Sequence, residues 1–141
     1  MNKPVFQWTA RVYYEDTDAT GVVYHANYLR FFERARTEWL RALDVSQQTL
    51  RAASGVVFTL ANLEVDYLRP ARLDDDLIIT AAVEHLRRAS LTFVQTVYLK
   101  NEPDTVLARA RARVACVDER SFRPCPLPDD FVRKISTGVS A

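Results

Sequence analysis

The chain has 141 residues, 48% of them hydrophobic and 26% charged, a composition suited to a single globular domain spanning residues 1–141. Nineteen Lys and Arg against eighteen Asp and Glu leave a net charge of +1, which argues against a dedicated nucleic-acid or anionic-membrane surface. No apolar run approaches the roughly 20 residues needed to span a bilayer, and Met1–Trp8 has no apolar core of a signal peptide. Cys116 and Cys125 fall neither in a CxxC nor in a framework of several pairs, so a reduced, cytoplasmic protein is expected.

In chain order, Gln7 to Tyr14 reads as a first strand. A loop of acids and turn formers follows, Glu15-Asp16-Thr17-Asp18-Ala19-Thr20-Gly21, then Val22-Val23-Tyr24-His25-Ala26. From Asn27 to Leu43 the apolar residues Tyr28, Phe32, Ala35 and Trp39 recur at helical spacing, and Leu29, Phe31 and Leu40 widen the stripe. A stripe that wide predicts a helix largely wrapped by other structure, with Asn27 as its N-cap. Ser46 reads as a second N-cap and Gln47 to Ala53 as a short helix stopped near Gly55.

The period then changes. Val56 to Leu68 contains the alternation Leu63-Glu64-Val65-Asp66-Tyr67 of a half-buried strand. Leu77–Leu86 and Leu91–Leu99 are further strands around an Arg87-Arg88-Ala89-Ser90 turn. Asn101-Glu102-Pro103-Asp104 reads as a turn. Thr105–Asp118 is the cleanest strand, with Val106, Ala108, Ala110, Ala112, Val114 and Cys116 on one face and Arg109, Arg111 and Arg113 on the other. Asp129–Ser136 closes the series as a short helix. Strand, long helix, then four strands on short connections is an α+β order: a five-stranded antiparallel sheet wrapped around one long central helix.

Several chemistries are absent. With three glycines there is neither a P-loop nor a dinucleotide turn, and no GxSxG elbow occurs. The two histidines, His25 and His85, show no metal-ligand spacing, so no metal and no organic cofactor is expected. What remains is a carboxylate loop running into the start of a helix, where unpaired N–H groups and the helix dipole favour negative charge. Asp16 and Asp18 flank Thr17. Each is open to two readings: a cap for the turn, or a nucleophile or general base. His25 is open in the same way, as a packed residue or a catalyst. The Arg109-Arg111-Arg113 row reads first as a solvated sheet face, and Arg87-Arg88 as a second basic site able to hold a phosphorylated carrier.

The run Tyr14-Glu15-Asp16-Thr17-Asp18-Ala19-Thr20-Gly21-Val22-Val23-Tyr24-His25-Ala26-Asn27-Tyr28, followed by Phe32-Glu33-Arg34-Ala35-Arg36-Thr37-Glu38, resembles the motif of the hotdog-fold acyl-CoA thioesterases. It is similar to the YbgC-type, Tol-Pal-associated branch related to 4-hydroxybenzoyl-CoA thioesterase. The likeness continues through Asp66–Asp75 and Cys116-Val117-Asp118. The resemblance implies hydrolysis of an acyl-CoA to a free acid, with Asp18 as the catalytic acid of the DxD pair and the backbone N–H near His25 binding the thioester oxygen. It places Tyr14 and the His25 side chain in the pocket; Tyr24 beside them, and Arg87, Arg88 and Ser90 at their turn, are further candidates for contact with the substrate. It also implies a homodimer or homotetramer with sites between subunits; acyl carrier protein is a second candidate partner beside acyl-CoA. Thr20 stands where glycine is common in the motif, which leads one to expect a slightly altered turn. Two other classes stay open: a hotdog dehydratase or hydratase, since those enzymes pair a histidine with an acid, and a low-turnover module that binds acyl carrier protein.

Overall fold

The structure is a computed structural model and describes residues 5–136. Met1–Pro4, part of the stretch read for a leader, lie outside the described residues. The elements in order are β1 (Phe6–Arg11), α1 (Asn27–Ala42), α2 (Gln47–Ser54), β2 (Val56–Tyr67), β3 (Asp76–Leu86), β4 (Ser90–Leu99), β5 (Glu102–Asp118) and α3 (Asp129–Ser136), with a 3₁₀ turn at Tyr14–Asp16. The strands form one antiparallel sheet in the order β1-β3-β4-β5-β2.

α1 lies against the inner face of this sheet because its stripe is apolar: Tyr28, Phe31, Phe32, Ala35, Trp39 and Leu40 are all buried. The facing strand residues are small or branched. Leu77, Ile79 and Val97 meet the first half of the helix with Ala108 and Ala110. Val83, Leu91, Phe93 and Ala112 meet the second half, where Phe131 and Ile135 of α3 close the end. The alanines of β5 leave room for the helix to approach the sheet, and the bulky partners then fill the remaining volume.

Three local expectations change. The first strand stops at Arg11, not Tyr14: Val12 leaves the ladder and exchanges bonds with the Asp74–Asp75 loop. The Asp16 carboxylate then takes the Tyr13 N–H at 2.8 Å and winds the 3₁₀ turn. Asn27 is not the N-cap but the first helical residue. Ala26 holds the cap position in helical conformation, with no side-chain cap. The Asn27 amide instead reaches back to Asp16 at 2.9 Å, a tertiary bond that outcompetes the local cap. Glu102–Asp104 belong to β5, so the turn narrows to Lys100-Asn101. Ser46 does cap α2, accepting the Thr49 N–H. Gly55 ends that helix at φ +67, a conformation that strains a residue carrying a Cβ.

The basic row of β5 points to the solvent side of the sheet, as its first reading had it. Arg109 and Arg111 stand opposite Asp66 and Glu64 of β2, and Arg111 pairs with Glu84 of β3.

Candidate active site

The loop between β1 and α1 is a small hairpin. Thr17 and Val23 face each other as an antiparallel bridge, the Asp18 N–H reaches the Val22 carbonyl, and the Gly21 N–H returns to the Asp18 carbonyl. Gly21 takes the turn's positive φ of +82. Thr20 is not among the positive-φ residues, so the threonine is accommodated without strain.

Thr20 does more than fill the turn. Its N–H and its hydroxyl both donate to Asp18 Oδ1, at 2.8 and 2.5 Å. The hydroxyl bond is the largest influence holding the Asp18 carboxyl below the usual carboxylate range. The Thr20 N–H follows, with the Val22 backbone and the nearby His25 adding less. Both Thr20 bonds fall on Oδ1, and Asp18 is exposed, so the carboxylate is held from one side and open to solvent.

Asp16 differs in every respect. Its two oxygens are taken by Tyr13 N–H and the Asn27 amide, and its carbonyl accepts the Tyr24 N–H at 3.0 Å. It ties the loop to the start of α1, with each carboxylate oxygen engaged by one donor. The geometry thus separates two acids that local pattern left equivalent.

At the turn opening α1, the His25 and Ala26 N–H groups meet no protein acceptor among the described residues. The His25 carbonyl is fixed by the Tyr67 hydroxyl at 2.8 Å, and its ring leans on Tyr24 and faces the edge of Tyr67. Tyr28, whose hydroxyl accepts the Ala71 N–H, packs edge-on against Tyr67. His25, Val23, Tyr28 and Tyr67 with Leu68–Pro70 line a shallow cleft beside the helix end. Two roles in this site escaped the sequence reading, the bond of Thr20 to Asp18 and the place of Tyr67 in the cleft. Thr20 was legible as a D-x-T turn whose threonine can bond back to the acid. Tyr67, 42 positions from His25, had no local signal.

Of the remaining expected site residues, two lie on the loop itself and three at the far hairpin. Tyr14 is 83% exposed and Tyr24 48% exposed, both on the loop. Arg87, Arg88 and Ser90 sit at the β3–β4 hairpin. Asp76, where β3 begins, lies beside Val12 and the loop, so the hairpin is ten strand residues away, about 33 Å at 3.3 Å per residue. One chain does not bring them to Asp18. His85, given no role, is exposed beside Glu84.

A five-stranded antiparallel sheet wrapped around one long helix is the hotdog architecture. The chain belongs to the thioesterase-like superfamily, whose family model matches residues 12–135, and is by class a thioester hydrolase. It is 48% identical over 132 residues to the acyl-CoA thioester hydrolase YbgC of Escherichia coli, covering 94% of this chain and 96% of that one. Among solved structures, a probable thioesterase from Bartonella henselae superposes with a TM-score of 0.81 at 33% identity, covering 89% of this chain and all of that one. A 1,4-dihydroxy-2-naphthoyl-CoA thioesterase from Synechocystis shares the fold at a TM-score of 0.87 and 23% identity, over 94% of this chain and 96% of that one.

Proposed function

We propose that this chain hydrolyses an acyl-CoA thioester to a carboxylic acid and CoA, with Asp18 and His25 as its catalytic residues. The observation that carries the reading is Asp18, its carboxyl held below the usual range and open to solvent, near the unpaired amides of His25 and Ala26. The thioester carbonyl oxygen takes the His25 N–H. Asp18 removes a proton from water, the hydroxide adds to the carbonyl carbon, the C–S bond breaks, and the proton passes to the thiolate. The same geometry serves direct attack by Asp18, which gives a mixed anhydride that water then opens. In either route charge builds on the carbonyl oxygen, where the start of α1 stabilises it. The fold is one domain, and Tyr14 and Tyr24 flank the thioester.

The working unit is a homodimer or homotetramer. β2 ends the sheet as a free edge of 12 residues on which Leu60 and Tyr67 are each 48% exposed. Such an edge invites pairing. Antiparallel pairing with a second β2 makes a continuous sheet and carries the partner's Arg87, Arg88 and Ser90 toward Asp18, where the arginines meet CoA phosphates. The same arginines suit the phosphopantetheine of acyl carrier protein. Among the described residues no helix is long and apolar enough to cross a membrane, and a cytoplasmic location fits free cysteines and a CoA substrate.

The test is thiol release from a panel of aliphatic and aromatic acyl-CoAs by the purified protein. Turnover of saturated acyl-CoA supports hydrolysis. Hydration of an enoyl-CoA without thiol release, or tight binding of acyl carrier protein without turnover, replaces it with one of the two other classes. Arg87→Ala and Arg88→Ala raise KM more than they lower kcat if those side chains hold the carrier.

A further inference from the structure

The end of β5 carries two thiols that hydrolysis does not use. Past Asp118 the chain turns back on itself: the Asp118 carboxylate accepts the Arg120 and Ser121 N–H groups, and the returning segment pairs Pro124 with Val117. Two backbone bonds flank that pair. The Asp118 N–H donates to the Arg123 carbonyl at 2.9 Å, and the Cys125 N–H to the Cys116 carbonyl at 3.0 Å. The next residues in register are therefore Cys116 and Cys125. Their sulfurs lie 3.7 Å apart, and both thiols are free.

Residues opposite each other in an antiparallel ladder have Cα atoms about 4.5–5.5 Å apart, inside the roughly 4.4–6.8 Å that a disulfide spans. Bringing the sulfurs from 3.7 Å to a bond of about 2.0 Å therefore asks for side-chain rotation and little backbone movement. The backbone is already held. Pro124 and Pro126 bracket Cys125 with fixed φ, and the Leu127 N–H anchors the segment to the Arg88 carbonyl at 2.8 Å. The two thiols are unequal. Cys116 is fully buried in the cluster that contains Leu127, Phe131 and Ile135, and burial, then the Cys125 sulfur, push its thiol up to about 12. Cys125 is partly exposed between two exposed prolines, so an oxidant from solvent reaches it first. No group of three or more His, Cys, Asp or Glu among the described residues surrounds the pair, which lacks the donor set of a structural metal site.

We infer that Cys116 and Cys125 form a reversible oxidation site, which a peroxide closes into a disulfide within one chain, tying the segment that leads into α3 to the end of β5. The Cys125 thiolate attacks one peroxide oxygen and the O–O bond breaks. The departing hydroxide takes up the proton the thiol gave and becomes water, leaving a sulfenic acid on Cys125. The Cys116 sulfur then attacks the Cys125 sulfur, the S–O bond breaks, and the Cys116 proton leaves with the hydroxide as a second water. Two thiols lose two electrons, and one peroxide is reduced to two waters. The raised Cys116 thiol slows the second step, and its fixed place against the reacting sulfur offsets that. An added dithiol reopens the bridge by exchange. The tie acts on α3, whose Phe131 and Ile135 are buried and whose Phe131 ring lies 5.0 Å from Phe58, the residue opposite Cys116 on β2.

The test treats the purified, folded chain with a small excess of hydrogen peroxide, then reads intact mass, free thiols after denaturation, and a peptide map without reduction. The expected result is a mass loss of two hydrogens, a fall from two free thiols to none, and a peptide joining Cys116 to Cys125. Dithiothreitol restores both thiols. The bridge joins residues nine positions apart, so oxidation raises Tm by on the order of 5 °C. Cys116→Ala stops at the sulfenic or sulfinic acid of Cys125, read as a gain of one or two oxygens. Cys125→Ser leaves Cys116 reduced. The wild-type readings carry the test if a variant does not fold. Oxygen added to Cys125 with Cys116 still free in the wild type, two free thiols after treatment, or a bridge between chains on a non-reducing gel overturns the site. A bridge that lowers Tm overturns the tie between β5 and the segment leading into α3.

Discussion

Exchanging each acid of the DxD pair for its amide tests the proposal that Asp16 is scaffold and Asp18 catalyst. Asp16 accepts the Tyr13 N–H at 2.8 Å and the Asn27 amide at 2.9 Å, one on each oxygen. Hydrogen bonds to an ionised group contribute about 1.5–3 kcal/mol each when well shielded, and toward the lower end here because Asp16 is only half-buried. Asp16→Asn keeps one acceptor and places an NH₂ against a donor, so it costs about 1–2 kcal/mol. At this chain length that lowers Tm by roughly 3–6 °C. Because Asp16 also steadies the start of α1, kcat falls modestly, about tenfold or less.

Asp18→Asn behaves in the opposite way. Its carbonyl oxygen still accepts from Thr20, and the side chain is exposed, so Tm moves by about 1 °C or less. The charge and basicity are gone, and kcat falls by about 10² to 10⁴. Thiol release under saturating acyl-CoA gives kcat, calorimetry gives Tm, and light scattering confirms that each variant keeps the wild-type assembly. Loss of turnover in Asp16→Asn with a near wild-type Asp18→Asn would refute the assignment. Two active variants would remove the chemistry from this loop altogether.

Thr20→Val removes the hydroxyl that most depresses the Asp18 carboxyl, so the acid limb of kcat/KM rises toward the ordinary aspartate value near 4; an unmoved limb means that another group sets it. The depressed Asp18 carboxyl also favours the folded state above its unfolded pKa, and that contribution disappears as pH falls through the lower folded value, so the acid unfolding midpoint of Thr20→Val moves upward. Cys116 is buried, its thiol pushed up to about 12 by burial and by the neighbouring Cys125 sulfur at 3.7 Å. Alkylation at pH 8 therefore modifies only Cys125 in the native chain, and peptide mapping that finds Cys116 labelled first contradicts that burial. Leu60→Lys places a charge on the free β2 edge and shifts light-scattering mass toward the monomer, with kcat/KM falling in parallel if sites form between subunits; an active monomer refutes the shared site.

Much of this protein was written in its residues one stretch at a time. The stripe from Tyr28 to Leu40 determined the buried helix, because apolar residues at a 3.6 period can be covered only from one side. The Ala108-Ala110-Ala112 alternation determined the inner face of β5, and Asp18-Ala19-Thr20-Gly21 determined a turn ending in a residue able to take positive φ. Local pattern could not tell Asp16 from Asp18, since both acids suit a turn equally. The tertiary structure decided it when Asn27 and Tyr13 took both oxygens of one and left the other outward. It likewise moved Asn27 out of its expected cap role, brought Tyr67 to the His25 carbonyl, and set Gln95 against Arg36 across 59 residues. Those choices depend on which groups strand pairing brings within hydrogen-bond reach. That is a property of register, to which no short window of sequence has access.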